Sequence, residues 1–572
     1  MRATPYCLPI ACLATLLAAC SSNVRDTAPA GATTRIAPID VPDVAHPQGE
    51  TADWWYRSGA ARAAANGAMG GKAKNVIVFL GDGMSLTTVA AARILDGQRK
   101  GGPGEGNRLA WETFPATALS RTYNTDAQTP DSAGTMSAIA TGVKTFMGSI
   151  SVGPASRNDD CAGSLDNRNL TWLELAQSAG MATGIVSTAR LTHATPAATY
   201  AHVPSRGWEN DTELTPEAVQ QGCRDIARQF METPFGGPVV ALGGGLGNFA
   251  PTSLADPEDP ARHGLRGDGR NLVAEWLDAH PQGAFVRNTQ QLRDAADAPR
   301  LLGLFAGSHM EFDHDRDTSP QGQPSLEEMT RAAIHTLSRD PDGYVLLVEG
   351  ARIDMANHYG NAFRALDDTI AMSRAVQAAM DMTSADDTLI LVTADHSHTL
   401  NFVGYPVRGN PILGKVRGKS EFDGKPGELA EDGTGLPYTT LGYANGPGYT
   451  GASSEQPAGS KHFPHMGKGY EPATGRPDLT DVDTADPDYM QESTVPLSSE
   501  SHGGEDVGIW ARGPGSDAVR GSVEQNVIYH VIVQATPKLR ERLCEADTCN
   551  ADGVPVELPS IDAFVPAGAS GQ

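Results

Sequence analysis

Basic residues are scarce relative to acidic ones in this sequence. The 572 residues include 44 Lys and Arg against 69 Asp and Glu, and the formal net charge at pH 7 is -25. Nucleic acids and anionic lipid surfaces are bound through a basic face. The charge balance therefore argues against both kinds of partner, and no nucleic-acid binding is expected.

Long apolar runs are missing after the first twenty residues, so no later segment is expected to cross a membrane. The run Leu8–Ala19 follows the positively charged Arg2 and is too short to span a bilayer, which is typical of a secretion signal. Leu17-Ala-Ala-Cys20 matches a bacterial lipobox. We therefore expect lipid on Cys20 and a protein anchored in the cell envelope, at the outer membrane or in the periplasm. The alternative is an ordinary cleaved signal.

Cysteine is also sparse, with seven residues in the chain. Cys7 and Cys12 leave with the predicted signal and Cys20 takes lipid. None of the other four has the CxxC spacing of a zinc or redox site. In an oxidising compartment these four allow three pairings. We favour a bridge between the two that are close in sequence, and hence a second bridge, with free thiols as the alternative: Cys544–Cys549 and Cys161–Cys223.

Apolar strands alternate with helical patterns from Asn75 to about Leu400. The alternation predicts an α/β fold, with a central, mostly parallel sheet flanked by helices on both faces. Residues 403–501 are rich in Gly, Pro, Tyr and Asp without clear period, which predicts a loop-rich insert. The predicted organisation is a lipoprotein signal peptide at 1–20, a flexible tether at 21–50, and one main folded domain at 51–572 that contains the insert.

Acidic residues and a histidine stand where three predicted strands end. In open parallel sheets the ligand crevice lies at the carboxyl ends of the strands. The three strands therefore direct carboxylates and an imidazole to one place, which predicts a metalloenzyme. The junctions are Asn75–Leu80 before Asp82, Gly343–Val348 before Glu349, and Thr388–Val392 before Asp395 and His396.

Ser132 lies just before the helical stretch Met136–Thr141. An isolated serine at such a position is usually only an N-cap. The N–H groups and macrodipole of a helix N-terminus also favour an alkoxide, and a nearby metal would lower the pKa of the hydroxyl further. In the company of the predicted metal ligands, Ser132 is a candidate nucleophile.

A set of motifs, taken in order, resembles the alkaline phosphatase family. The resemblance covers nearly all of the chain from Asp53 onward. Two stretches are more similar to the animal-type branch than to the enteric bacterial one, namely Gly475–Thr480 and Ala511-Arg-Gly-Pro. The chain is thus identified as an animal-type member in a bacterial lipoprotein form. The motifs are Phe79–Ser85, Asp131–Ala133, Val348–Asp354 with His358, Thr393–His398 and His502–Asp506.

The resemblance implies two zinc ions, one magnesium ion and a homodimer. It also implies that the planar guanidinium of Arg206 clamps phosphate. Ligand chemistry agrees, because oxygen ligands suit magnesium and mixed nitrogen and oxygen ligands suit zinc. The implied ligands are Asp354, His358 and His502 for the first zinc, Asp82, Asp395 and His396 for the second, and Asp82, Glu349 and Thr195 for magnesium.

The implied activity is hydrolysis of small phosphomonoesters through a phosphoserine on Ser132, with release of inorganic phosphate. A phosphodiesterase of the same superfamily would keep both zinc sites but usually lacks the third metal, so Glu349 and Thr195 favour monoesters. A lipoprotein that only captures phosphate would need neither a nucleophile nor hydrolytic metals. The combination of Ser132 with the full ligand set argues against that second alternative.

Two positions depart from the pattern of the animal branch. Ala306 replaces a Glu of an additional calcium site, which argues against calcium. Met355 stands where enteric enzymes have Lys and animal enzymes have His, and it cannot donate to phosphate. At a third position the sequence agrees with the animal branch: His193 stands where enteric enzymes have an Asp near magnesium.

Two histidines of the insert, His462 and His465, are predicted to be surface residues.

Overall fold

The computed structural model describes residues 36–44, 47–256, 261–418 and 427–566. The predicted signal peptide and its Cys20 lie outside the described residues, as does the predicted tether up to residue 35. The described end of the tether contacts the catalytic body. Ile36 and Ile39 pack on an apolar cluster that includes Val554, and Trp54 Nε1 donates to the carbonyl oxygen of Pro42 at 2.7 Å.

Strands occur along most of the described chain, and those at the centre of the main sheet are buried along almost their whole length. Those within the described residues are β1 (Asn75–Gly81), β2 (Ala116–Arg121), β3 (Ala182–Arg190), β4 (Val240–Gly244), β5 (Ala284–Val286), β6 (Leu301–Leu304), β7 (Tyr344–Gly350), β8 (Thr388–Ala394), β9 (Ser397–His398), β10 (Leu400–Phe402), β11 (Leu441–Gly446), β12 (Lys461–His462), β13 (Tyr489–Met490), β14 (Ser493–Pro496), β15 (His502–Gly503), β16 (Val507–Arg512) and β17 (Gly521–Glu524).

Ten of these strands form one large sheet, in the spatial order β17-β2-β16-β8-β1-β7-β3-β4-β6-β5. Strand β1 is parallel to both of its neighbours, β7 and β8. Only β16 runs against its neighbours, β2 and β8, among the pairings of this sheet that the described residues make. The prediction of a mostly parallel central sheet is therefore confirmed.

Helices supply the long crossovers that parallel strands require. No helix in the described part of the chain is both long and apolar enough to cross a bilayer. The α-helices there are α1 (Ala52–Ala65), α2 (Leu86–Arg99), α3 (Ser132–Thr141), α4 (Cys161–Asp166), α5 (Trp172–Ser178), α6 (Ala194–Ala197), α7 (Pro216–Gln220), α8 (Ile226–Met231), α9 (Leu246–Phe249), α10 (Leu272–Ala279), α11 (Thr289–Asp294), α12 (Leu326–Leu337), α13 (Arg352–His358), α14 (Ala362–Met382), α15 (Val527–Ala535) and α16 (Pro537–Cys544).

Successive side chains of β1 enter two different apolar cores. Val76, Val78 and Leu80 join a core that contains residues of α1, α3, α5 and α15. Ile77 and Phe79 join a second core, with residues of α2, α12 and α14. Because neighbouring side chains of a strand point to opposite faces, helices must cover both faces of the sheet. The predicted α/β class is confirmed, and the unbroken apolar run of β1 follows from this double burial.

The predicted insert, 403–501, contains the short strands β11 to β14 and no helix among its described residues. Strand β11 pairs with β10 and β14, and β12 pairs with β13. The ring of Phe463 packs edge-on against Tyr359, with ring centroids 4.9 Å apart. Tyr359 directly follows α13, so the insert contacts the end of a helix that carries two predicted metal ligands, Asp354 and His358.

Both predicted disulfides are present. Cys161 at the start of α4 is bonded to Cys223 with a sequence separation of 62. Cys544 at the end of α16 is bonded to Cys549 with a separation of 5. A cross-link that closes a longer loop restricts the unfolded chain more strongly. The Cys161–Cys223 bond is therefore the one with the larger expected contribution to stability.

Removal of the longer disulfide is expected to destabilise the fold by about 4 kcal/mol, because the unfolded chain regains its loop entropy. The variant is Cys161→Ser with Cys223→Ser, and the measurement is the free energy of unfolding in guanidinium under non-reducing conditions. Cys544→Ser with Cys549→Ser is the matched comparison, with an expected loss of about 2 kcal/mol. An equal or larger loss in the short-loop variant would contradict this account.

Candidate active site

The carboxyl ends of three adjacent strands carry the predicted acidic residues. Strand β1 lies between β7 and β8, and Gly81, its last residue, is in register with the last residues of both neighbours. Asp82 follows β1, Glu349 lies near the end of β7, and Asp395 follows β8. All three are fully buried. The pairing of three apolar strands thus brings the carboxylates to one edge of the sheet.

Asp82, Asp395 and His396 form one compact group of metal-ligating atoms. The Nε2 atom of His396 lies 3.4 Å from Asp82 Oδ1 and 3.3 Å from Asp395 Oδ2. Asp395 Oδ1 accepts the backbone N–H groups of Gly83 and His396, at 3.0 and 2.9 Å, so the turn fixes its orientation. Burial lowers the pKa of His396 well below its ordinary value. The ring is therefore neutral, the form that binds metals.

Ser132 is the first residue of α3 and faces this group. Asp131 caps the helix, accepting the backbone N–H of Gly134 at 3.1 Å. Ser132 Oγ lies 3.3 Å from Asp82 Oδ1 and 3.1 Å from His396 Nε2. The helix cap therefore holds a buried hydroxyl against two candidate metal ligands, an arrangement suited to a nucleophile.

A neighbouring group contains Asp354, His358 and His502. Asp354 and His358 are one turn apart on α13, and His358 Nε2 lies 3.5 Å from Asp354 Oδ1. His502 Nε2 lies 3.4 Å from the same oxygen and 3.2 Å from His358 Nε2. The Nδ1 atoms of His358 and His502 bond to the carbonyl oxygens of Glu500 and Pro130. Both Nε2 atoms are thus turned toward Asp354.

A third group consists of Asp82, His193 and Glu349, with ligand atoms within 4.8 Å of one another. Asp82 Oδ2, Glu349 Oε1 and His193 Nδ1 are buried and have no hydrogen-bond partner among the described residues. Thr195, on α6, lies beside the Glu349 carboxylate. Buried polar atoms are rarely left unpaired, and a cation would satisfy these. The donor set therefore fits a bound cation.

The carboxyl groups at this edge oppose one another's ionisation. Burial raises the pKa of Asp82 well above its ordinary value, and Asp395, Asp354 and Glu349 raise it further. Burial also raises the pKa of Glu349 to about 8. Burial raises the pKa of Asp395 as well, so positive charge among Asp82, Glu349 and Asp395 would favour their joint ionisation. The electrostatics of the site therefore agree with its ligand chemistry.

Arg206 joins the site through Asp131, the residue before the candidate nucleophile. Arg206 Nη1 donates to Asp131 Oδ2 at 2.9 Å, and Nη2 lies 3.1 Å from His193 Nε2. Burial disfavours the Asp131 carboxylate, but Arg206 and the N–H groups of Gly148 and Gly134 outweigh it and hold the pKa of Asp131 low. The Arg206 side chain remains 30% exposed, so its guanidinium can reach a substrate.

His398 received no role from the sequence, although it ends the Thr393–His398 motif. Its Nε2 lies 2.8 Å from Asp354 Oδ1, and its Nδ1 bonds to the Glu500 carboxylate. Burial opposes protonation, but Glu500 and Asp354 raise the pKa of His398 to about 10. With a carboxylate at each ring nitrogen, the protonated His398 ring donates to both Asp354 and Glu500, and it also lies within two of the candidate metal-ligating groups. His193 was also absent from the predicted ligands.

The prediction that His465 is a surface residue is wrong. His465 is buried, with Nδ1 3.0 Å from the carbonyl oxygen of Pro447 and Nε2 2.8 Å from Ser453 Oγ. The surrounding segment folds back on itself without regular structure, and such a segment has no sequence period that reveals burial. His462 is exposed, as predicted.

Comparison with known proteins shows which family this chain resembles. The family model described as alkaline phosphatase matches residues 73–537. The chain is 41% identical over 471 residues to the alkaline phosphatase of Gadus morhua, covering 81% of this chain and 92% of that protein. The chain is also 41% identical over 471 residues to the tissue-nonspecific alkaline phosphatase isozyme of Homo sapiens, and this match covers 81% of this chain and 83% of that protein.

Among solved structures, the alkaline phosphatase of Thermus thermophilus has the same fold. It matches with a TM-score of 0.55 and 24% identity, over 82% of this chain and 92% of that one. The family match over residues 73–537 contains every residue of the candidate metal-ligating groups. This chain belongs to the alkaline phosphatase family.

Proposed function

We propose that this protein hydrolyses phosphomonoesters and releases inorganic phosphate through a phosphoserine on Ser132. One observation carries the proposal: Ser132 Oγ lies 3.3 Å from Asp82 and 3.1 Å from His396, which belong to a buried group suited to a metal. Membership of the alkaline phosphatase family supports the same reaction.

The chain's own groups account for the steps at phosphorus. The N-terminus of α3 favours negative charge on Ser132 Oγ, and Asp131 holds that turn in place. Ser132 Oγ gives up its proton and bonds to phosphorus while the bond between phosphorus and the ester oxygen breaks, and the departing alkoxide takes up a proton to leave as an alcohol. Water then attacks the phosphoserine, releases phosphate and restores the hydroxyl of Ser132.

We also propose two zinc ions and one magnesium ion as the cations of the site. Bound there, they would lower the pKa of hydroxyl groups and offset negative charge on oxygen. Support comes from the neutral His396 ring, from the unpartnered buried atoms around Glu349, and from the kinds of ligand atom in each group. The proposed ligands are Asp354, His358 and His502 for the first zinc, Asp82, Asp395 and His396 for the second, and Asp82, Glu349 and Thr195 for magnesium.

A comparison of esters tests the reaction class. Turnover of a chromogenic phosphomonoester should greatly exceed turnover of the matching phosphodiester, and chelation should abolish it. Preferred hydrolysis of the diester would instead favour a phosphodiesterase. Binding of phosphate without turnover of either ester in metal-loaded protein would favour a capture protein and overturn the proposal.

Arg206→Ala is expected to weaken binding of inorganic phosphate by roughly 10- to 100-fold, the effect of one lost charge-assisted hydrogen bond. The reason is that Arg206 is tied to Asp131 beside the nucleophile while its guanidinium stays partly open. The measurement is the phosphate inhibition constant at fixed pH and salt. Arg331→Ala, at an exposed ion pair on α12, is the control. An unchanged constant in Arg206→Ala would rule out the clamp.

We further propose that the mature protein is a lipid-anchored homodimer in the cell envelope. The lipobox ending at Cys20 supports the anchor, and the two disulfides fit an oxidising compartment. Exposed apolar side chains in and beside the three-stranded sheet, including Phe402 and Val495, offer a surface that a second copy would cover. Fatty-acid labelling of Cys20→Ala against the parent tests the anchor, and sedimentation of the protein without residues 1–20 tests the dimer.

A further inference from the structure

Glu500 places a carboxylate beside the first ligand group, and no sequence motif marks it. The residue is 1% exposed. Its Oε1 accepts both the backbone N–H and the hydroxyl of Thr399, each at 2.6 Å, and its Oε2 bonds to His398 Nδ1. A buried carboxylate is costly unless it is hydrogen-bonded, and here both oxygens are. The Glu500 side chain is therefore held in one orientation.

His398 transmits that orientation to Asp354. The imidazole is fixed at one nitrogen by Glu500, and its other nitrogen lies 2.8 Å from Asp354 Oδ1. The same oxygen faces the Nε2 atoms of His358 and His502, at 3.5 and 3.4 Å. The orientation of the Asp354 carboxylate is thus set by the His398 ring, which Glu500 fixes through its other nitrogen.

The backbone of Glu500 orients a second ligand. Its carbonyl oxygen accepts from His358 Nδ1, and its N–H donates to the carbonyl oxygen of His358 at 2.9 Å. The proton on Nδ1 leaves the lone pair of Nε2 free for a metal. The third ligand, His502, follows two residues later on β15, which pairs with β9, the strand that contains His398. Glu500 is therefore linked to Asp354 through His398 and to His358 through its backbone, and it lies two residues before His502.

We infer that Glu500 is a positioning residue for the group formed by Asp354, His358 and His502. It acts through His398 and through the backbone, without reaching the substrate. The inference rests on the proposed function, since it presupposes a cation held by those three ligands. Partners that orient metal ligands contribute roughly 10- to 100-fold to metal affinity. The carboxylate of Glu500 should contribute a factor of that size, and at this group alone.

The test is zinc affinity of the whole protein, measured by competition with a chromogenic chelator. Glu500→Gln keeps the size of the side chain and removes its charge. It should weaken one of two zinc-binding events by roughly 10- to 100-fold and leave the other unchanged. His502→Ala, which removes a ligand, identifies which event belongs to this group. Glu492→Gln is the matched control, because Glu492 lies in the same insert and pairs with Arg476.

His398→Gln is a second variant and should show the same selective weakening. Equal zinc affinity in Glu500→Gln and the parent would overturn the inference while leaving the proposed function intact. A parent protein that binds no zinc would overturn the proposed function itself. If both variants melt far below the metal-free parent while Glu492→Gln does not, Glu500 acts as a core residue and the inference fails.

Discussion

Ser132→Ala is expected to abolish phosphoenzyme formation and to lower phosphomonoester turnover on the order of 10⁴-fold or more, as the loss of a nucleophile does in other hydrolases. The change removes the oxygen that lies against Asp82 and His396 and leaves the rest of α3 in place. Turnover is measured with a chromogenic ester. Phosphoenzyme is measured by acid quench followed by mass spectrometry of the peptide that contains residue 132.

Ser178→Ala is the matched control, since Ser178 Oγ bonds only within its own helix turn, to Leu175 O, in the described structure. It should keep parental turnover and parental phosphoenzyme. Metal content should stay near the parental value in Ser132→Ala, which separates loss of the nucleophile from loss of the site. Phosphate attached to another residue of the Ala variant, with turnover retained, would refute the assignment.

Asp82→Asn is expected to remove more metal than any other single carboxylate change in the site. Asp82 belongs to two groups of metal-ligating side chains, one with Asp395 and His396 and one with His193 and Glu349, whereas Asp395 belongs to one. Asp82→Asn should therefore lose about two cations per chain and Asp395→Asn about one, with turnover reduced by several orders of magnitude in the first case. The measurement is elemental analysis of purified protein together with turnover of a phosphomonoester.

Asp381→Asn, on the exposed face of α14, is the control and should keep both metal content and activity. Added zinc and magnesium should restore Asp395→Asn further than Asp82→Asn. If the two site variants lose the same amount of metal, Asp82 does not bridge two groups, and the proposed ligand sets need to be redrawn.

Part of the site could be predicted from the sequence without any resemblance. Asp82, Glu349, Asp395 and His396 each end or follow an apolar run, and parallel strands must share one carboxyl edge. That edge is where the structure puts their side chains. The alternation of apolar strands with helical patterns predicted the fold class. The strands were recognisable because strands buried on both faces of a sheet have unbroken apolar sequences.

The remaining parts of the site depend on contacts between distant segments, which local patterns do not contain. Arg206 and Thr195 lie in loops or short helices and were assigned only through family resemblance. The contact of Glu500 with His398 joins residues 102 positions apart through the pairing of β9 with β15, two strands of two residues each. Strands that short have no periodic signal, so their pairing becomes visible only in three dimensions.

The place of β1 in the sheet has a consequence for how the chain is made. Both neighbours of β1 are supplied by much later sequence, since Val76 pairs with Val345 and Leu389. At a synthesis rate of about 5–20 residues per second, this largely apolar strand waits roughly 13–54 s for the first of its neighbouring strands. Unpaired apolar strands are templates for aggregation. This protein should therefore depend strongly on holdase chaperones between ribosome and folding, and its yield should fall sharply when they are depleted.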